Sequence, residues 1–164
     1  MINTKLFESS HLIRFPDCDA FNHLNNSRYL DYFINAREDH LRDFCDLDIH
    51  RLAQKTGKTW VVGQNQIAYL SPAFLMEPVI IQSVMLEWNT HDVLVEMRMW
   101  DEAKTKLKSF LWSRFIHYDL KTQKRIDHDE FLTNKYAHLE NRLSAPQNFE
   151  QRLRSMKTML YNEV

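Results

Sequence analysis

The stretch Arg14 to Arg37, "RFPDCDAFNHLNNSRYLDYFINAR", crowds polar groups into one junction. Two aspartates, Asp17 and Asp19, a histidine, His23, and two asparagines, Asn25 and Asn26, stand between a strand-like segment and an aromatic-rich helical one. On the N-terminal side, Leu6 to about Phe15 reads as a strand. Pro16 ends it, because its ring fixes φ and holds the preceding residue extended. On the C-terminal side, Asn25 or Asn26 is a suitable helix cap. Beyond it Tyr29, Leu30, Phe33, Ile34, Leu41, Phe44 and Cys45 recur at helical spacing. The spacing predicts one long helix from Asn26 to about Gln54, ending near Gly57.

After Gly57 the texture changes to four strand-length runs, "TWVVGQNQIAYL", "PVIIQSVMLEW", "VLVEMRMW" and "KLKSFLWSRFIHYDL". Val93, Val95, Met97 and Met99 alternate with Glu96 and Arg98, the pattern of an antiparallel strand with one wetter face. "NTHD", Asn89 to Asp92, reads as a hairpin turn, and "DLKTQKRI" after Asp119 as another. Glu130 to Leu143 and Phe149 to Tyr161 read as helices separated by "SAPQN". Phe149, Leu153, Met156, Met159 and Leu160 give the second an apolar face with which to dock. The expected class is α+β: a five-stranded antiparallel sheet wrapped around one long helix, followed by a helical tail.

Length and composition narrow the function. At 164 residues the chain is expected to form a single domain over 1–164, with a core of about 6–120 and an extension of about 129–164. Lys and Arg total 21 against 22 Asp and Glu, which argues against a nucleic-acid surface. The apolar runs are too short for a membrane span, and no signal-peptide pattern opens the sequence, so a cytoplasmic location and no membrane partner are expected. Cys18 and Cys45 lack metal-site or disulfide spacing, so free thiols and no metal are expected. With only Gly57 and Gly63, no glycine-rich phosphate cradle can be built, which removes nucleotide hydrolases and dinucleotide enzymes.

The junction resembles the start of the hotdog-fold acyl-CoA thioesterases of the 4-hydroxybenzoyl-CoA thioesterase type. Their pattern is met at Arg14, Phe15, Asp17, Cys18, Asp19, His23, Asn25, Asn26, Tyr29, Tyr32, Phe33, Ala36 and Arg37. "IAYLSPAFLMEPV", Ile67 to Val79, is similar to a second family segment, a Tyr-x-x-Pro-Ala turn leading into a strand. The resemblance spans about Leu6 to Leu120. Two positions depart from it: Asn22 replaces the usual glycine before the histidine, and Ile34-Asn35 replaces an acidic pair. Asparagine tolerates a left-handed backbone, so Asn22 is compatible with the turn.

The resemblance implies hydrolysis of an acyl-CoA thioester with no cofactor, coenzyme A entering as part of the substrate. The matching family carboxylate makes Asp19 the general base or nucleophile. Backbone N–H groups at the helix start polarise the carbonyl, as the positive end of a helix favours. Asn26 and His23 join Asp19 as catalytic candidates; Asp17, Asn22, Asn25 and Tyr29 are the substrate-binding ones. Each has a structural alternative: turn capping for Asp17 and Asp19, helix capping for Asn25 and Asn26, a turn hydrogen bond for His23, core packing for Tyr29. The basic run Lys104 to Lys108 reads as a solvated strand edge, or as a contact for coenzyme A phosphates. Acyl groups on acyl-carrier protein, and a non-catalytic acyl-binding shell, are the competing readings; a dehydratase ranks behind them. The family's edge-to-edge subunit pairing implies a homodimer or homotetramer.

Overall fold

The computed structural model describes residues 5–162. Strand β1 (Leu6–Leu12) is shorter than expected: Phe15 lies 75% exposed in a 3₁₀ turn, Phe15–Asp17, that Pro16 initiates. A second 3₁₀ turn, Asn26–Arg28, leads into α1 (Tyr29–Cys45), whose Tyr29, Phe33, Ala36, Arg37 and His40 form the buried stripe. Phe44 departs from the expected stripe, remaining 57% exposed while stacking on Phe7 at 5.2 Å.

The single long helix is two. Asp46 adopts a left-handed φ of 49° as the C-cap of α1, and Asp48 then caps α2 (Ile49–Thr56) by accepting the Arg51 N–H at 2.9 Å. An apolar periodicity that runs across the joint hides this break. Gly57 ends α2 at φ 76°, a conformation that favours a residue without Cβ.

Strands β2 (Lys58–Tyr69), β3 (Pro78–Trp88), β4 (Asp92–Asp101) and β5 (Leu107–Asp119) join β1 in an antiparallel sheet of order β1-β3-β4-β5-β2. The two-residue β6 (Lys124–Arg125) closes a hairpin on β5. Gly63 sits where the β2/β5 register shifts; a Cβ there would lie 2.4 Å from Ile116 Cδ1. Helix α1 occupies the concave face, where Phe33 packs with Ile81, Val95, Met97, Met99 and Leu111, all 0–1% exposed. This is an α+β hotdog fold, a sheet curled around its long helix. Because β1 and β2 are the sheet's two ends, β2 has one paired side and one free edge.

The convex face is not the wet one that the alternation of β4 suggests. Helix α3 (Glu130–Leu139), four residues shorter than expected, packs into the core through Leu132 and Tyr136, and α4 (Phe149–Asn162) then lies across the convex side. Phe149, Leu153 and Met156 are buried there against Phe110, Trp112 and Leu86, each such side chain contributing about 1.5–3 kcal/mol of apolar burial. Met159 stays 53% exposed, and the Leu160 side chain lies outside the described residues. Glu96, 0% exposed, accepts hydrogen bonds from Arg98, Arg152 and the Trp112 indole. Burial alone would raise its pKa, but Arg152, Arg98 and Trp112 together hold it below the usual carboxylate value. The α4 tail therefore brings the Arg152 cation that stabilises a buried anion of β4.

Candidate active site

The loop from Asp17 to Asn25 closes on itself. Asn25 N–H donates to the Asp17 carbonyl (2.9 Å), Asp19 N–H to the His23 carbonyl (2.8 Å), and Asn22 N–H to the Asp19 carbonyl (3.1 Å). Its tip requires a left-handed residue, and Asn22 supplies it at φ 59°, so the missing glycine is replaced without loss of the turn. The loop is pinned to the Pro72–Glu77 segment. Leu24 N–H donates to the Ala73 carbonyl and Leu75 N–H to the Asn22 carbonyl. The Phe74 ring meets His23 edge-on at 5.0 Å.

The two aspartates are held differently. Asp19 Oδ1 accepts the N–H groups of Phe21 (2.8 Å) and His23 (3.2 Å), which fixes the carboxylate while Oδ2 has no hydrogen-bond donor among the described residues. Asp17 Oδ2 instead accepts the Tyr32 hydroxyl at 2.8 Å, and Arg28 lies 3.9 Å from its other oxygen. Burial and that bond push the Tyr32 phenol up to about 12, so it remains a donor at neutral pH. Asp17 thus faces α1 and lines a groove of about 440 Å³ with His11, Asp31, Tyr32 and Asn35. Cys18, between the acids, has its thiol raised by burial and by both carboxylates, which disfavours a thiolate nucleophile.

Asn25 caps the helix start, its Oδ1 accepting the Ser27 N–H at 3.0 Å and the Ser27 hydroxyl at 2.9 Å. The Arg28 N–H is taken by the Asn25 carbonyl. The Asn26 N–H has no acceptor among the described residues, and the Asn26 carbonyl accepts the Tyr69 hydroxyl at 3.0 Å. Tyr29 lies beneath the loop at 2% exposure, its hydroxyl accepting the Ala73 N–H at 3.2 Å. Asp17, Asp19, Asn22, His23, Asn25 and Asn26 therefore share one loop and helix start, with Tyr29 as its floor.

Three contributors were not legible as site residues. Tyr32 orients Asp17, Glu77 accepts the Phe74 N–H at 2.7 Å, and Lys108 donates to the Pro72 carbonyl at 3.0 Å while pairing with Glu77. Lys108 is 3% exposed, so it braces the Pro72–Glu77 segment; the basic run is not a uniformly solvated edge. The only sequence signal for this brace was the segment's family-like spacing.

Residues 13–152 match the model of the thioesterase-like superfamily. The long-chain acyl-CoA thioesterase FadM of Escherichia coli (strain K12) is 29% identical over 111 residues, 66% of this chain and 80% of FadM. Among solved structures, YbaW of Escherichia coli aligns with a TM-score of 0.69 at 25% identity, covering 82% of this chain and 98% of YbaW. SAV2348 of Staphylococcus aureus, solved in complex with CoA, aligns at 0.75 and 14% identity over 87% of this chain and 90% of its own. A 1,4-dihydroxy-2-naphthoyl-CoA thioesterase from Synechocystis aligns at 0.73 and 11% identity over 80% and 96%. The last two likenesses speak to the fold. Family match, loop motif and curled sheet agree: the chain belongs to the hotdog-fold acyl-CoA thioesterases of the thioesterase-like superfamily and is a thioester hydrolase.

Proposed function

We propose that the chain hydrolyses acyl-CoA thioesters with Asp19 as its general base or nucleophile. The observation that carries this reading is the Asp19 carboxylate, fixed through Oδ1 by two backbone N–H groups with Oδ2 left to act. In the general-base route Oδ2 takes a proton from water, the water oxygen attacks the carbonyl carbon, and the C–S bond breaks. The proton then passes to the departing thiolate, which leaves readily enough to need no strong acid. The Asn26 N–H, at the positive end of α1, stabilises the oxyanion. His23 and Asn22 shape the loop, Asn25 organises the helix start, and Asp17 secures the loop against α1 through Tyr32.

The functional unit is proposed as a homo-oligomer joined along the free edge of β2, in the cytoplasm, with α4 part of the same domain. Supporting the first point, β2 presents twelve residues on an unpaired edge with Val61, Val62 and Tyr69 at least 36% exposed. No helix among the described residues is long and apolar enough to cross a membrane. A thiol-release assay across acyl-CoA chain lengths, run beside acyl-carrier-protein thioesters, tests the activity. Turnover of the CoA series is expected. Turnover only of the carrier-protein series would move the substrate class, and none at all would leave an acyl-binding shell.

A further inference from the structure

Two helical turns beyond the loop, roughly 12 Å along α1 from Tyr29 at 1.5 Å per residue, Arg37 is buried at 5% exposure. It pairs with no carboxylate among the described residues; its side chain donates to Ser83 Oγ at 3.2 Å. Burial lowers the guanidinium to about 10, so it remains charged at neutral pH. Arg37 lines a cavity of about 120 Å³ between α1, α2 and the sheet. That is near the roughly 150 Å³ that takes a benzene ring. Most of the wall is apolar, from residues such as Ile34, Met85 and Phe115.

Two further polar groups line the same cavity. The Tyr136 hydroxyl, in a residue 3% exposed, and the Trp60 indole Nε1 are both buried; the indole N–H approaches the hydroxyl, and neither group has a further partner among the described residues. Burial raises the Tyr136 phenol, while the Trp60 indole N–H directed at it and the Arg37 charge pull it the other way. Guanidinium, indole N–H and phenol O–H are all donors, and none of the three is bonded to a carboxylate among the described residues. Glu38, the other charged lining residue, is bonded to the exposed His50 at 2.8 Å. Buried donors are ordinarily satisfied, so a largely apolar cavity that holds these donors is suited to an acceptor.

We propose that this cavity is the distal end of the acyl site and selects acyl groups that carry an acceptor oxygen far from the thioester. The oxygen is that of a carboxylate, a carbonyl or a hydroxyl, engaged jointly by Arg37, Trp60 and Tyr136. This rests on the thioesterase reading above. A carboxylate would form charge-assisted bonds with Arg37, and a neutral oxygen would be held mainly by Trp60 and Tyr136. A plain alkyl end would offer no acceptor to the Tyr136 O–H or to the Arg37 N–H groups not bonded to Ser83, which is how polar pockets reject analogues lacking the matching group.

The test uses CoA thioesters of octanoate, decanoate and dodecanoate, each plain, ω-hydroxylated or ω-carboxylated. At the best chain length an oxygenated substrate is expected to exceed its plain counterpart in kcat/KM by at least about tenfold. Tyr136→Phe and Trp60→Phe are each expected to shrink that ratio severalfold, and Arg37→Met to abolish the carboxylate preference. If Arg37→Met does not fold, the other two variants carry the comparison. Tryptophan fluorescence titration with free ω-hydroxy and dicarboxylic acids, against plain fatty acids of the same length, reads the cavity without turnover. Oxygen-dependent binding weakened by Tyr136→Phe, with no hydrolysis, would keep the cavity assignment and sink the hydrolase reading. Equal use of plain and oxygenated substrates, with ratios and binding indifferent to Tyr136→Phe, would overturn the proposal.

Discussion

Asp17 and Asp19 are separated by one residue, yet their carboxylates are held by different partners. Asp19 is oriented by backbone donors within its own loop, whereas Asp17 is tied to α1 by Tyr32. His40 shows a second consequence of burial. At 1% exposure, bonded to Ser9 and Ser83, it is lowered to about 4, first by burial and then by the Arg37 charge. Its folded pKa lies below the unfolded value near 6.5, so its contribution to stability is complete above that value and is lost as pH falls toward 4. Melting temperature should therefore drop between about pH 6.5 and 4, and His40→Gln should flatten that slope. An unchanged slope in the variant would contradict the assignment. The loop cluster was legible because its residues are neighbours in sequence and its family spacing is dense. The bond from Tyr32 to Asp17 was not, because it joins residues fifteen apart whose meeting depends on how α1 docks.

At the scale of elements, α4 and β4 explain each other. The alternation of Glu96 and Arg98 reads as a solvated face only when the tail is considered separately. With α4 in place, Arg152 and Glu96 form a buried pair and Trp112 packs beneath Phe149 at 5.9 Å. Arg152→Met should cost on the order of 3 kcal/mol, because Glu96 would keep its burial and lose one of two cations. Glu96→Gln with Arg152→Met should recover part of that loss. Thermal or urea denaturation of the single and double variants checks this; a single variant as stable as wild type would show that the pair is idle. Truncation before Ser144 should lower stability by exposing Phe110 and Trp112. The order of elements was legible from hydrophobic period and turn residues. The break after Cys45 was not, because an aspartate rather than glycine or proline takes the left-handed φ there.

For the whole molecule, the free edge of β2 is where a second copy is proposed to add its strand. Light scattering at micromolar concentration should give at least a dimer, and lysines at two exposed edge positions, Val61→Lys with Gln66→Lys, should shift it toward monomer. A monomeric mass for an active wild-type preparation would refute the assembly. The chemistry is proposed to turn on Asp19, and steady-state thiol release from an acyl-CoA by wild type, Asp19→Asn and Asp17→Asn tests that proposal most directly. Asparagine at position 19 retains an acceptor for the Phe21 and His23 N–H groups, so circular dichroism should be unchanged while turnover falls by at least about a hundredfold. Asp17→Asn should act mainly through the loop, on the scale of about 1 kcal/mol, and alter turnover far less. A dead Asp17→Asn beside an Asp19→Asn of near wild-type turnover would contradict the account.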